Sequence, residues 1–353
     1  MPVLTRLVPS PVFVEIRPAA LDALGGILAD QRLSASGRIA VAISNGSGAV
    51  LRERLEPLLP GADWYHVPDG TLDSAVRLAD QMRAGHYDAI VGLGGGKIID
   101  VAKYAAARVG LPLVAVATNL AHDGICSPVS TLDNDAGRGS YGVPSPIGIV
   151  VDLDVVRQAP ARFVAAGIGD VISNISACAD WELSNAVTGE PLDGLAVAMA
   201  RAAGENLLRH PGGLEDQDLL TALAEALVLS GIAMNIAGST RPSSGACHEI
   251  SHALDVLYPK RSAQHGEQVG LGAAFACHLR GERELTGLVV DRLRSHGLPV
   301  TADEIGFSEA EFTEAVHYAP NTRPGRFTIL EHLDLSPSDI RDAYADYVQA
   351  VNS

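Results

Sequence analysis

Residues 1–155 alternate between two hydrophobic patterns. Short apolar runs rich in β-branched residues, typical of buried strands, are separated by segments whose apolar residues recur at helical spacing. The apolar runs lie at 38–43, 63–67, 89–91, 112–116 and 148–151, and the amphipathic segments lie at 48–58, 71–85 and 97–109. Strands and helices in alternation predict a parallel sheet covered by helices on both faces, with ligands at the carboxyl ends of its strands.

The pattern changes beyond Ala159-Pro160. From 161 to 353 the apolar residues follow helical spacing, and no segment predicts a strand. Long Ala/Leu-rich helical stretches are predicted at 166–185, 190–208, 216–237, 244–257 and 266–280. The sequence therefore predicts an α/β, Rossmann-like N-terminal domain over residues 1–157 and an all-α C-terminal domain over residues 158–353. Within the first domain, the glycine- and proline-rich segment 133–146 is predicted to be a surface excursion.

Composition and charge narrow the possible partners. The 353 residues include 26 Lys and Arg against 42 Asp and Glu, a net charge of −16. Such a chain repels polyanions, so we expect neither nucleic-acid binding nor binding to anionic membranes. The 4 cysteines are far apart with no C-x-x-C spacing, which argues against a zinc knuckle or a disulfide framework. The N-terminus shows no leader pattern and no stretch reaches the length of a membrane span, so we expect a soluble, cytoplasmic protein.

A glycine-rich turn joins the third predicted strand to the helix that follows it. Residues 92–97 read Gly-Leu-Gly-Gly-Gly-Lys. Glycines allow a phosphate to approach the backbone closely, and the start of a helix favours a bound anion. A Walker A loop would need glycine at Val91 and a hydroxyl residue at Ile98, and the dinucleotide fingerprint would need glycine at Lys97. The turn therefore predicts a phosphate site of another kind, and the alternative is a tight turn that needs positive φ angles.

Acidic and imidazole side chains that favour metal binding lie on three separate segments. Asp170 follows Gly167-Ile168-Gly169, and His248 and His265 lie in two later segments. A carboxylate and two imidazoles could hold zinc or another divalent ion and leave a position open for substrate. Taken alone, Asp170 is also a good candidate for the N-cap of a helix.

The segment 248–252 matches the H-E-x-x-H pattern of zinc proteases. In that interpretation His248 and His252 bind zinc from one helix face, and Glu249 is the general base. A five-residue match in a long chain is weak evidence, and this interpretation leaves the glycine-rich turn without a role.

Polar residues follow the fourth predicted strand, at 118–128. Groups at the carboxyl end of a strand lie where α/β domains bind ligands. The alternative is a loop in which Asp123-Gly124 forms an ordinary turn and His122 is exposed to solvent.

Together these segments resemble the iron-dependent alcohol dehydrogenase superfamily and, within it, the sn-glycerol-1-phosphate dehydrogenase family. The resemblance covers nearly the whole chain. The residues that carry it are 92–100, His122-Asp123-Gly124, Ser127-Pro128, 159–163, Gly169-Asp170, 245–248, His252 and His265-Gly266-Glu267. The resemblance implies the dehydroquinate synthase-like fold, although the glycine- and lysine-rich segment of dehydroquinate synthases is replaced here by 123–128.

The resemblance also implies roles for individual residues. Contacts to the nicotinamide cofactor are implied for Gly94, Gly95, Gly96, Lys97, Asp100, Thr118, Asn119, Ala121 and Ser127. Asp170, His248 and His265 would hold the metal. Asp123 would contact the substrate hydroxyls, and His252, one helical turn from His248, would contact substrate and not metal.

The reaction implied by the resemblance is metal-dependent hydride transfer between NAD(H) or NADP(H) and a small molecule, dihydroxyacetone phosphate or sn-glycerol 1-phosphate. The metal would be zinc, with nickel or iron as alternatives, and the chain would form a homo-oligomer. The second hypothesis keeps the scaffold but changes the substrate to glycerol, another polyol or a biosynthetic sugar or cyclitol intermediate. The third is an H-E-x-x-H metallohydrolase.

Two further expectations concern specificity. The second strand is followed by Ser44-Asn45-Gly46, with no acid to repel a 2′-phosphate, so we expect the protein to accept either cofactor. A phosphorylated substrate needs cationic or hydrogen-bonding groups, and the candidates by sequence position are Arg241, His252, Lys260 and Arg261. The pair at 260–261 has an alternative interpretation as the solvated end of a helix.

Overall fold

A computed structural model describes residues 11–34, 36–45, 47–135, 137–261 and 263–352. The chain divides into two compact units. The sheet unit comprises residues up to 119 together with 124–158 and 231–239, and the helical unit comprises 120–123, 159–230 and 240 onward. Neither unit is a single continuous segment. Residues 120–123 are grouped with the helical unit, and residues 231–239 are grouped with the sheet unit.

The sheet unit contains eight strands and five helices among the described residues. In chain order they are β1 (Phe13–Arg17), α1 (Leu24–Leu28), β2 (Ile39–Ser44), α2 (Ser47–Leu55), β3 (Asp63–Val67), α3 (Leu72–Met82), β4 (Ala89–Gly94), α4 (Gly96–Val109), β5 (Leu113–Ala117), β6 (Val129–Asn134), β7 (Gly137–Gly142), β8 (Gly148–Asp152) and α5 (Leu153–Val156). The five strands predicted from apolar runs are all present, and the predicted α/β architecture is confirmed.

Six of these strands form one parallel sheet with the order β1-β8-β5-β4-β2-β3. The chain passes from β2 to β3 on one side and then returns to β4 on the other side of β2. A reversal of this kind opens a crevice at the carboxyl ends of the two strands, where doubly wound sheets bind nucleotides. Gly94 ends β4 at this edge, and Ser44 ends β2 there.

Alternate residues of the central strands enter two separate cores. Ala40, Ala42 and Ile90 pack against α3 and α4. Val41 and Val91 point to the opposite face, where they pack with α1. A strand buried on both faces must be apolar at successive positions, which explains why unbroken apolar runs identified these strands.

Two parts of the sheet unit differ from the sequence prediction. The edge strand β1 was not predicted, because its side chains are only partly buried and its apolar run is short. The segment 133–146, predicted as a surface excursion, contains part of an antiparallel hairpin between β6 and β7. The glycines at 137, 139 and 142 favoured a loop, but strand pairing overrides their low intrinsic preference for β-structure.

The helical unit has nine further helices among the described residues. They are α6 (Ala161–Thr188), α7 (Gly194–Arg209), α8 (Gln217–Ala237), α9 (Ala246–Leu257), α10 (His265–Leu279), α11 (Arg283–Ser295), α12 (Glu309–Tyr318), α13 (Ile329–Leu333) and α14 (Pro337–Asn352). The last seven residues of α8 are grouped with the sheet unit. The five helices predicted up to residue 280 are present, with ends that differ by a few residues.

Two expectations for this region were wrong. Asp170 does not cap a helix, because α6 begins at Ala161 and Asp170 lies inside it. The expectation that no stretch reaches the length of a membrane span was also wrong. Helix α8 is long and apolar enough to span a membrane by length and composition, with a mean hydropathy of 1.8. In the structure 72% of that apolar window is buried inside the protein, as in the core helix of a globular fold.

Candidate metal centre and nucleotide-binding turn

The predicted phosphate-binding turn lies between β4 and α4. Gly94 ends the strand, Gly95 is the N-cap with φ of −78°, and Gly96 begins the helix. None of the three has a positive φ, so the alternative of a turn that needs left-handed backbone is wrong. The glycines instead make room: a Cβ on Gly95 would lie 2.5 Å from Nδ2 of Asn119. The bare backbone and free helix N-terminus are the features that a phosphate group requires.

The turn brings several of the predicted cofactor residues together. The Thr118 backbone amide donates to the Gly94 carbonyl at 3.0 Å, and Asn119 lies against Gly95. Lys97 is exposed, and its stem packs over Gly70. Thus five of the residues assigned to the cofactor by resemblance, Gly94, Gly95, Lys97, Thr118 and Asn119, lie at one helix start.

Asp100 and Ser127 are occupied with contacts inside the protein. Asp100 pairs with Lys103, one turn along α4, at 2.8 Å, and both side chains are buried. The Ser127 hydroxyl is buried and donates to the Val129 carbonyl at 3.4 Å. Ala121, the remaining cofactor candidate, lies in the segment grouped with the helical unit and is partly buried. Gly46, part of the segment used for the cofactor expectation, lies outside the described residues.

The Lys103 side chain binds backbone carbonyls of the segment that follows β5. Its ammonium group donates to the carbonyls of Gly124, at 2.8 Å, and Val129, with the Ser127 carbonyl 3.5 Å away. A buried ammonium with carboxylate and carbonyl acceptors fixes those groups relative to α4. Lys103 therefore ties the 124–129 segment to the helix that begins at the glycine-rich turn.

In the helical unit, the three predicted metal ligands form one cluster. Asp170, His248 and His265 each offer one ligand atom, and these atoms all lie within 4.8 Å of one another. Nε2 of His248 is 3.8 Å from Oδ1 of Asp170, and Nε2 of His265 is 3.7 Å from the same oxygen. The ring centroids of the two histidines are 5.0 Å apart.

Close helix packing through glycines brings the ligands together. A Cβ on Gly169, beside Asp170, would lie 2.2 Å from the Gly266 carbonyl oxygen, and a Cβ on Gly266, beside His265, would lie 1.8 Å from a carbonyl oxygen of α6. These contacts leave no room for any larger residue. Helices α6 and α10 can therefore approach closely where each carries a ligand.

Other contacts orient the ligand-bearing groups. Oδ2 of Asp180, on α6, accepts from the Ala246 backbone amide at 2.7 Å and so caps the helix that carries His248. Nδ1 of His265 is 3.4 Å from the Ser251 hydroxyl, so its Nε2 faces the cluster. Hydrogen bonding at one imidazole nitrogen while the other faces the ligand position is the usual arrangement of metal-binding histidine.

The electrostatics of the cluster fit a cation. Burial, with a contribution from the Asp123 carboxylate, raises the pKa of Asp170 well above its usual range. Burial and the neighbouring His265 and His252 lower the pKa of His248 well below its usual range. His248 is therefore neutral, as a metal ligand must be. A divalent cation would stabilise the charged form of Asp170, which the protein alone disfavours.

Asp123 lies against the cluster through both its backbone and its side chain. Its backbone amide donates to Oδ2 of Asp170 at 2.9 Å, and its own Oδ2 accepts from the Ser230 hydroxyl at 2.8 Å. The Ser230 hydroxyl is also 2.8 Å from that of Ser243. This buried hydroxyl network fixes the Asp123 carboxylate beside Asp170.

His252 lies one turn along α9 from His248, with its ring centroid 6.4 Å from the rings of both His248 and His265. Its Nε2 is 3.1 Å from a guanidinium nitrogen of Arg323. Since a guanidinium can only donate, Nε2 of His252 accepts this hydrogen bond and the ring is neutral. His252 thus borders the cluster without sharing its ligand position.

Comparisons with known proteins agree with this geometry. The sequence pattern of the family described as iron-containing alcohol dehydrogenase matches residues 15–160. A glycerol-1-phosphate dehydrogenase (NAD(P)+) from Hyperthermus butylicus is 34% identical over 325 residues, which cover 91% of this chain and 92% of that protein. The enzyme of the same name from Methanosarcina barkeri is 33% identical and covers 88% of this chain and 87% of its own length. The chain belongs to the glycerol-1-phosphate dehydrogenase family.

Solved structures agree on the fold. A glycerol dehydrogenase from Schizosaccharomyces pombe has a TM-score of 0.79 at 22% identity and covers 99% of this chain and 91% of its own. A sulfoacetaldehyde reductase from Bifidobacterium kashiwanohense has a TM-score of 0.74 at 16% identity and covers 98% and 99%. The chain thus shares its fold with these two proteins.

The H-E-x-x-H match in this glycerol-1-phosphate dehydrogenase family member lacks a protease geometry. Glu249 is fully buried, and its carboxylate accepts from the Thr328 hydroxyl at 3.1 Å. Burial and the neighbouring Glu331 and Asp180 raise its pKa to about 9. A protonated, buried carboxyl group cannot activate water as a general base at neutral pH.

The predicted phosphate-binding cations have other partners. Arg241 is buried and forms an ion pair with Glu190, with Nε 2.8 Å from Oε1. Arg261 is exposed and pairs with Glu311 at 2.7 Å, and Lys260 is exposed beside it. These two residues match the alternative interpretation of a solvated helix end.

Arg323, Arg326 and Ser230 border this site in the structure but were not identified from the sequence. Ser230 lies on an apolar helix where a single hydroxyl is unremarkable, and the two arginines lie in an irregular segment. The local sequence Arg-Pro-Gly-Arg at 323–326 was the one available signal, since two cations beside a turn can form an anion site.

Proposed function

We propose that this protein interconverts dihydroxyacetone phosphate and sn-glycerol 1-phosphate by hydride transfer with NAD(H) or NADP(H). In the reducing direction, hydride moves from the nicotinamide to the carbonyl carbon, and a proton is added to the oxygen. The observation that carries the proposal is the Asp170, His248 and His265 cluster, in a chain 34% identical to a glycerol-1-phosphate dehydrogenase over 91% of its length.

The cluster fits a resident divalent ion. Nε2 of His248 and Nε2 of His265 lie 3.8 and 3.7 Å from Oδ1 of Asp170, and all three atoms lie within 4.8 Å of one another, so one ion could contact all three. One buried carboxylate and two neutral imidazoles are a donor set that suits zinc, nickel or ferrous iron, of which we propose zinc. When bound, the ion supplies Lewis-acid chemistry at the substrate oxygen and the nicotinamide supplies the hydride.

Asp123 and His252 are proposed to bind substrate. Asp123 is fixed by Ser230 and lies against Asp170, so its carboxylate can accept from a substrate hydroxyl beside the ligand cluster. His252 accepts from Arg323 at Nε2, and its ring lies 6.4 Å from the ring of each histidine ligand, where it can contact a substrate held at the cluster. We infer that these two groups orient the substrate and that Asp170, His248 and His265 hold the ion.

The cofactor is proposed to bind at the crevice between β2 and β4, with its pyrophosphate at Gly94, Gly95 and Gly96. Lys97 adds positive charge at this helix start. Ser44 and Asn45, at the end of β2, place no acid there, so both NAD(H) and NADP(H) are proposed to serve.

The test is a substrate panel on metal-reconstituted enzyme, with both reduced cofactors. We expect oxidation of NADH or NADPH with dihydroxyacetone phosphate, abolished by a chelator and restored by the ion. Activity confined to unphosphorylated dihydroxyacetone or other ketones would favour the second hypothesis, a polyol dehydrogenase. A preference for NADH of about a hundredfold or more would contradict the expectation of dual cofactor use.

Three further proposals accompany this function. We propose that residues 1–157 and 158–353 act as nucleotide-binding and metal-binding domains, that the chain forms a homo-oligomer, and that it is cytoplasmic. The last is consistent with 4 free, buried cysteines. Light scattering on purified protein tests the oligomer, and cell fractionation tests the location.

A further inference from the structure

The arginine-containing segment 323–326 borders the ligand cluster of the helical unit. The 3₁₀ turn Ala319–Thr322 packs against α9, where the Thr322 hydroxyl lies 3.5 Å from the Glu249 carbonyl. Arg323 follows this turn directly, partly buried, and donates to Nε2 of His252 at 3.1 Å. The packing of the turn therefore places a guanidinium at the histidine that borders the cluster.

The position of His252 shows where Arg323 lies relative to the ligand cluster, at which the substrate carbonyl is proposed to bind. The His252 ring is 6.4 Å from the ring of each histidine ligand, and Arg323 contacts that ring, so its guanidinium lies in the neighbourhood of the cluster. In dihydroxyacetone phosphate, the phosphate is joined to the carbonyl carbon through a single CH2–O linkage. If the carbonyl oxygen of the substrate lies at the ligand cluster, the phosphate of the same molecule must lie nearby, in the region that Arg323 and His252 occupy.

Arg326 adds positive charge to the same region. It donates to the Thr240 hydroxyl at 2.9 Å and to the Ser244 carbonyl, and both acceptors are neutral. Burial and the positive charges of Arg241 and Arg323 lower the pKa of Arg326 to about 10. Several partly buried guanidinium groups that repel one another are stabilised by a bound anion.

Arg323 and Arg326 come from one short segment, Arg-Pro-Gly-Arg at 323–326, and their positive charges act on each other. In a chain with a net charge of −16, this local concentration of positive charge is the reverse of the overall balance. It is the kind of local field that attracts an anionic ligand.

We propose that Arg323, with added charge from Arg326, binds the phosphate group of the substrate and so selects a phosphorylated triose over an unphosphorylated one. Guanidinium groups bind phosphate oxygens through paired, charge-assisted hydrogen bonds. This inference rests on the proposed function, since it concerns the substrate of the same site.

The test compares kcat/KM for dihydroxyacetone phosphate and for dihydroxyacetone in the holoenzyme. Arg323→Met should lower the value for the phosphorylated substrate by about a hundredfold or more and change the value for the other by less than about threefold. Arg323→Lys keeps the positive charge but loses the paired N–H donors of the guanidinium. Its kcat/KM for dihydroxyacetone phosphate should lie between those of the wild type and Arg323→Met. Arg261→Met, which removes an exposed arginine paired with Glu311, is the matched control and should resemble the wild type.

A second measurement separates this inference from the proposed function. Inorganic phosphate should compete with the substrate and raise the melting temperature of the wild type, and both effects should be lost in Arg323→Met and weakened in Arg326→Met. If the wild type fails to reduce dihydroxyacetone phosphate, the proposed function is wrong, and phosphate titration still decides the role of Arg323. Equal loss on both substrates, or retained phosphate binding in Arg323→Met, would overturn the inference.

Discussion

The backbone amide of Asp123 donates a hydrogen bond to Oδ2 of Asp170 at 2.9 Å, although the two residues also bring two carboxylates into one buried region. The amide stabilises the charged form of Asp170, while burial and the Asp123 carboxylate oppose it more strongly. Without a bound cation, the charged form of Asp170 is therefore disfavoured. We interpret this as the feature of a site that binds a cation.

Asp170→Asn should abolish metal binding and make the metal-free protein more stable. Because burial raises the folded-state pKa of Asp170, the metal-free protein loses stability as pH rises from the unfolded carboxyl pKa towards the folded-state pKa. Removing the charge should recover about 1–3 kcal/mol in the free energy of unfolding. Urea unfolding of the chelated proteins, with metal analysis of both, makes the comparison. A less stable Asp170→Asn apoprotein would contradict this electrostatic account.

Substituting the cluster histidine His265 and the bordering histidine His252 should have different effects on metal content. His265→Ala should lower the bound metal to about a tenth of the wild-type content or less and abolish activity, while cofactor binding persists. His252→Ala should keep the metal but raise the Michaelis constant for substrate about tenfold or more. Metal analysis and cofactor fluorescence titration check both. Loss of the ion from His252→Ala with retention in His265→Ala would show that the ligand assignment is wrong.

Lys103→Met should destabilise the sheet unit and weaken cofactor binding. It would leave the buried Asp100 carboxylate without its ammonium partner, at a cost of about 3–5 kcal/mol in the free energy of unfolding. The double variant with Asp100→Asn removes that stranded charge and should recover part of the loss, while its Michaelis constant for NADH stays raised because the 124–129 segment is released. Urea unfolding and cofactor kinetics of both variants test this. A double variant with wild-type cofactor binding would limit Lys103 to a structural role.

Glu249→Gln should keep dehydrogenase activity within about threefold of wild type, because the carboxyl is already protonated at neutral pH. The folded-state pKa of about 9 also means that the wild type loses stability as pH rises from about 4.5 to about 9, a loss that the amide does not share. The stability advantage of Glu249→Gln should therefore grow from pH 5 to pH 9. Glu249→Ala, which leaves a cavity, is the control. Peptide hydrolysis lost in Glu249→Gln would instead favour the metallohydrolase hypothesis.

The sequence was informative where burial dictates composition. Strands β2, β4, β5 and β8 are covered on both faces, so their residues must be apolar and their runs are visible. The edge strand β1 and the glycine-containing β7 carry no such requirement, and they escaped prediction. The glycines at 167 and 169 favoured a helix start before Asp170, but in the structure they make room for close packing inside α6.

Some residues of the candidate site could also be predicted from the sequence, and others could not. The metal trio was predicted from residue types and from the family resemblance, and the structure brings its ligand atoms together. Arg323 could not be predicted, because it lies 71 positions from His252 in an irregular segment and only tertiary packing joins them. Arg241 was a plausible phosphate ligand by position alone, until the structure paired it with Glu190.

The most direct test of the central claim is the stereochemistry of the product formed from dihydroxyacetone phosphate by the metal-reconstituted enzyme and NADH. The product can be assigned with an enzyme that oxidises only the sn-glycerol 3-phosphate enantiomer. The account predicts one glycerol phosphate formed per NADH oxidised, resistant to that enzyme and therefore sn-glycerol 1-phosphate, with no product after chelation. Formation of the 3-phosphate, undiminished turnover without metal, or reduction of dihydroxyacetone alone would contradict it.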